Sequence, residues 1–108
     1  MIPGTVFQVT GTGNHLRIVL SHPLEGRVLT CNLTDAQKCP RSPCRCDPSN
    51  HEWITKPSGI PFEYLVTLPC SGFEPAIQRG AIRVSETPFP QSKLIIICQA
   101  ILETHGRF

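Results

Sequence analysis

The chain has 108 residues, room for one domain, and carries 11 Pro, 8 Gly and 6 Cys beside 40% apolar and 17% charged residues. Proline at that density excludes a long helical bundle or coiled coil. A formal net charge of +2 excludes a charge-driven disordered chain and permits a nucleic-acid partner without announcing one.

The first apolar stretch, residues 4–10 with TVFQVT, alternates β-branched and aromatic residues and predicts a strand. Gly11-Thr12-Gly13-Asn14 is a turn cluster. Residues 15–21, HLRIVLS, predict a second strand, with Leu16, Ile18 and Leu20 on one face and His15, Arg17 and Val19 on the other. SHPLEG turns the chain into a third strand over residues 27–33, RVLTCNL. Residues 35–50, DAQKCPRSPCRCDPSN, read as an irregular loop, of a length usually functional or held by a clip. A short strand follows over residues 52–55 (EWIT), then a turn over residues 56–59 and a longer strand over residues 60–68 (IPFEYLVTL). Residues 69–80 read as loop, 81–84 as a short strand and 85–91 as a Pro-rich connection. In residues 92–104, Leu94, Ile97, Cys98, Ile101 and Leu102 fall at helical spacing, Ser92 caps the start and Gly106 ends it. The sum predicts one domain over residues 1–108, a mainly β, small antiparallel half-open barrel with a C-terminal helix.

The N-terminal residues show no basic targeting region, and the longest apolar run, residues 94–98, is too short to span a bilayer, so a cytoplasmic protein with no membrane contact is expected. Without a signal peptide, the six cysteines read as reduced thiols or metal ligands rather than three disulfides. Cys31 and Cys98 lie within apolar runs and read as buried. Cys39, Cys44, Cys46 and His51 supply four soft ligands, enough for a tetrahedral zinc site. Their spacing departs from the usual knuckles, leaving a local disulfide or exposed free thiols as the other readings.

His15 opens a strand after a Gly-rich turn, where an imidazole serves as acid or base or simply faces solvent. Arg17 shares its face, and the two suit a phosphate unless that face is merely solvated. Thr34 ends the third strand beside Asp35, either as a phosphate donor or as part of a turn or cap. Trp53, Phe62 and Tyr64 are base-stacking candidates, although with so few aromatics core roles are expected for at least two. No phosphate-cradling Gly loop and no nucleophile elbow is present in the sequence.

The order PGTVFQV, HLRIVLS, VLTCNLT resembles the opening of the MazF/PemK-like toxins, small SH3-like barrels of the plasmid-maintenance type. Pro3-Gly4 matches the family's Pro-Gly start, Ser21 closes the second strand, and Thr34 falls at the third-strand Thr. The stretch NHEWITKPSGIPFEY resembles a His-x-x-Ile-x-x-Ser stretch of divergent members, matching His51, Ile54, Ser58 (displaced by one) and Tyr64. Two positions depart: Thr5 stands for the family's Asp, and His15 takes the place of its catalytic Arg, with Arg17 two residues on. The resemblance implies a cytoplasmic endoribonuclease toxin, a homodimer that cleaves single-stranded RNA without metal or other cofactor and is covered by a small acidic antitoxin. It assigns catalysis to His15, Arg17 and Thr34 and substrate binding to Ser21 and His51. A non-catalytic binding module of the same fold and a small Cys-clipped domain are the competing classes. The apolar C-terminal helix points to the homodimer independently, because one small barrel covers only one of its stripes.

Overall fold

The computed structural model describes residues 2–11, 15–40, 42 and 44–105, the side chains of 104 and 105 excepted. The chain is mainly β: antiparallel sheets and a C-terminal helix, as the alternation predicts.

Three strands follow the sequence closely: β1 (Val6–Val9), β2 (Leu16–Val19) and β3 (Arg27–Asn32). A two-residue turn joins β2 to β3, with Leu24 and Arg27 exchanging both backbone hydrogen bonds, 2.8 and 3.0 Å. Glu25 and Gly26 both take positive φ there, 53° and 76°, the geometry that matches the twist of a hairpin.

The segment read as a loop over residues 35–50 is more ordered than expected. β4 (Thr34–Asp35) leads into a 3₁₀ turn (Ala36–Lys38), and β5 (Arg45–Cys46) follows. Both pair with β6 (Ser58–Gly59) to form a small three-stranded sheet in the order β4-β6-β5. The expected strand over residues 52–55 is a turn instead, because the His51 ring captures the Trp53 amide at 3.0 Å and takes that donor from any ladder. The expected turn over residues 56–59 holds β6. Glycine is required at its second position because a Cβ on Gly59 would overlap the Cys39 sulfur.

The long strand expected over residues 60–68 divides into a 3₁₀ turn (Phe62–Tyr64) after Pro61 and the shorter β7 (Val66–Pro69). A helix missed in the sequence follows, α1 (Phe73–Gln78), then β8 (Ile82–Val84) and α2 (Gln91–His105). Pro75 hides α1 from a reading by breakers, yet it sits in the first turn, where no intrahelical amide bond is lost.

β7, β3, β2, β1 and β8 form the large sheet in that order, antiparallel throughout, with β7 and β8 at its edges. One face carries Val6, Leu16, Ile18 and Cys31 and packs against Leu94 and Ile97 of α2, with Ile54, Ile60 and Phe62. The other carries Phe7, Val19 and Val28 against Phe73 of α1, the two Phe rings meeting edge-on at 5.3 Å. Full burial of a side chain such as Phe7 or Ile97 contributes about 1.5–3 kcal/mol. α2 turns Leu94 and Ile97 inward and leaves Ile95, Ile96 and Leu102 outside. Among the described residues, no helix is long and apolar enough to cross a membrane.

Candidate functional site

The three loop cysteines expected to be exposed are core residues. Cys39, Cys44 and Cys46 are 8%, 2% and 1% exposed, and all six thiols are free. Burial pushes the Cys46 thiol up to about 11, and Cys31, Cys39, Cys44 and Cys98 are raised for the same first cause. These five thiols are therefore held away from the reactive thiolate form.

The four candidate zinc ligands are not brought together. Among the described residues no three His, Cys, Asp or Glu side chains gather into a metal-holding group. His51 has no lone pair to give: its Nδ1 accepts the Trp53 amide, so its ring proton lies on Nε2 and is donated to the Thr87 carbonyl at 2.7 Å. The clip on this segment is a hydroxyl. Ser42 Oγ accepts the Cys44 and Ile60 amides at 3.3 and 3.2 Å, with the Ile60 and Cys44 carbonyls at 2.7 and 3.0 Å for its proton. The Arg45 guanidinium adds bonds to the carbonyls of Ala36 and Pro40 at 3.2 and 3.0 Å.

Polar groups gather instead where the two sheets meet. His15, the residue before β2, and Thr34, at the start of β4, line one open cleft of about 180 Å³ with Asp35, Trp53, Thr55 and Lys56. The alternation that put His15 on Arg17's face stops one residue short, because β2 begins at Leu16. The Leu33 carbonyl lies 3.3 Å from His15 Nδ1. A carbonyl only accepts, so the proton sits on Nδ1 and Nε2 is left as the accepting nitrogen.

Asp35 and Lys56 form the cleft's ion pair at 3.1 Å, with the lysine side chain 63% exposed. The Gln37 amide first, then Lys56, hold the Asp35 carboxyl below the usual carboxylate range. The same carboxylate caps the 3₁₀ turn through Gln37, at 3.0 Å. The pair is a surface one, screened by solvent and of little weight for stability.

Trp53 is half-buried and held on two sides. The Arg83 guanidinium lies 4.6 Å from its ring centroid, and the His51 ring meets it edge-on at 5.9 Å. Arg83 stands opposite Gln8, on the sheet face that Leu16 also occupies.

The remaining sequence candidates lie elsewhere. Arg17 pairs with Phe7 and Asn32 across the sheet, which puts it on the face that carries Phe7 and α1, away from the cleft lining. Ser21 lies at the far end of β2, where its hydroxyl accepts the Leu29 amide at 2.9 Å and fastens the hairpin. His51 is buried behind Trp53 rather than in the cleft. Lys56 went unnoticed in the sequence because it sits in an ordinary Lys-Pro-Ser-Gly turn, and only the pairing of β4 with β6 brings it beside Thr34.

No family model, curated protein or solved structure matches this chain. The cleft's own chemistry, an orientable imidazole, a hydroxyl, an ammonium and an aromatic wall, is what a function must be built from.

Proposed function

We propose that the chain is a MazF/PemK-like endoribonuclease that cleaves single-stranded RNA without a metal, working in the cytoplasm. The observation that carries this reading is the meeting of His15, just ahead of β2, and Thr34, of the small sheet, in one open cleft. With Nδ1–H bonded to Leu33, His15 Nε2 takes the proton of the RNA 2′-hydroxyl as that oxygen attacks the neighbouring phosphorus. The bond from phosphorus to the 5′-oxygen breaks, leaving a 2′,3′-cyclic phosphate and a 5′-oxygen that takes a proton from water. Thr34 donates to a non-bridging oxygen, and Lys56 supplies the positive charge that the family resemblance had assigned to Arg17.

Expression in a bacterial host, with growth and RNA integrity followed together, tests the reading. Growth arrest with cleaved RNA is expected, and the purified protein should yield cyclic-phosphate ends in the presence of a chelator. RNA left intact by the purified protein, with and without divalent metal, would overturn it.

A second reading, a non-catalytic binding module of the same fold, draws on the carboxylate of Asp35 inside the cleft, 3.1 Å from its lysine. That arrangement weakens phosphate attraction. In either case the exposed Ile95, Ile96 and Leu102 of α2 favour a homodimer, since a second copy offers a two-fold, self-complementary cover. A small acidic antitoxin is the expected partner for a chain of net charge +2. A solution mass near 11.9 kDa at micromolar concentration would remove the dimer.

A further inference from the structure

We propose that Trp53 is the stacking platform for one nucleobase of single-stranded RNA in the cleft, with Arg83 held against the same ring. The inference rests on the ribonuclease reading and names how that site grips its substrate.

Trp53 could have been a core residue alone, since it packs on the large core beside Leu16. Three observations give it a second role. It lines the open cleft that holds His15, Thr34 and Lys56, so a base on the ring has a phosphate within the same small space as those groups. The cleft, at about 180 Å³, is below the range of drug-sized ligand sites and suits one planar base rather than a duplex. The indole is also held before any ligand arrives, by the His51 ring edge-on at 5.9 Å and the Arg83 guanidinium at 4.6 Å. Its backbone amide is tied to His51 Nδ1 at 3.0 Å, and His51 Nε2 is tied to the Thr87 carbonyl at 2.7 Å. Thr87 in turn donates to Glu52 at 2.7 Å. A ring already ordered loses little freedom on binding. The Arg83 guanidinium, 4.6 Å from the ring centroid, draws on the ring's electrons, which favours an electron-rich base in the stack. His51 is thus a positioning residue for Trp53.

Trp53 is the only tryptophan in the chain, so its fluorescence reports on this ring alone. The unaltered protein is titrated with a mixed-sequence 2′-O-methyl RNA octamer, which lacks the nucleophilic hydroxyl and stays intact. Saturable quenching is expected, in step with the anisotropy of a dye-labelled copy of the octamer. Millimolar adenosine monophosphate should reverse the quenching, whereas the same concentration of ribose 5-phosphate, which has no base to stack, should not. Trp53→Leu should weaken octamer binding roughly tenfold or more, and Trp53→Phe by less. Arg83→Gln should weaken it about two- to fivefold. Binding by anisotropy without quenching, or no binding at all, overturns the platform, and neither result depends on a variant folding. Cleavage of unmodified RNA is measured in parallel. Quenching without cleavage keeps the platform and removes the nuclease, whereas cleavage without quenching removes the platform and keeps the nuclease.

Discussion

The Cys-rich segment and the His15 cleft adjoin the same small sheet and have exchanged the roles their residues suggest. The segment holds three thiols of high chemical potential, and all are buried with raised pKa values. The cleft is assembled from a strand-opening His, a Thr and a turn Lys, none conspicuous alone, and all in one open space. Residue type thus proposes chemistry, while burial and the state of each lone pair decide it. A sulfur without water around it is a small apolar group, and an imidazole with one nitrogen tethered is a base with a defined acceptor.

The sharpest way to break this comparison is at His15. His15→Ala should lower RNA cleavage by about 10²–10⁴-fold, while the thermal midpoint moves by under about 3 °C, as for an exposed residue. Comparable cleavage by the variant would leave the cleft without its base.

On the other side, Gly59→Val drives a side chain into the Cys39 sulfur and should cost about 3 kcal/mol in urea unfolding. Adding Cys39→Ala to the same chain should recover at least half of that loss, and a strictly additive double mutant would show that the two atoms do not meet.

The thiols also make an alkaline prediction. A raised folded pKa means that the native state keeps a proton the unfolded state releases. Stability is therefore full below the ordinary thiol value and falls as pH rises above it. For Cys46, between an ordinary 9.0 and about 11, the loss is about 2–3 kcal/mol. Urea titrations under reductant from pH 7 to 11 would register it, and Cys46→Ala should flatten the slope. At pH 8, Cys70 and Cys98, both partly exposed, should label ahead of Cys31, Cys44 and Cys46.

The smallest effect sharpens the cleft's electrostatics. Asp35→Asn releases Lys56 from its ion pair and keeps an acceptor for the Gln37 amide. Single-stranded RNA should then bind about two- to fivefold more tightly in low-salt filter binding. Unchanged affinity would place Lys56 outside the binding surface.

Much of the large sheet was legible because β1, β2, β3 and β8 alternate and α2 spaces its apolar residues at a helical period. What escaped was decided by side chains reaching back to the chain. The amide that would have continued a strand at Trp53 is taken by His51, and strand β6 needs the space that only Gly59 leaves beside Cys39. His15 was legible as a candidate, but its separation from Arg17 was not, since one residue decides whether alternation still applies at a strand's end. The cleft as a whole depends on β4 meeting β6 across more than twenty residues, a pairing that no local pattern encodes.

Ser42 has a consequence for where this protein can keep its shape. Its single hydroxyl occupies the place that a bound metal or a sulfur bridge would fill in many Pro- and Cys-rich loops. A hydroxyl does not respond to the glutathione pool and is not stripped by a chelator. The fold should therefore melt at the same temperature, within about 1 °C, in dithiothreitol, in oxidised glutathione and in EDTA. Equal melting in all three would show an integrity uncoupled from the supply of zinc and from the electron balance around it.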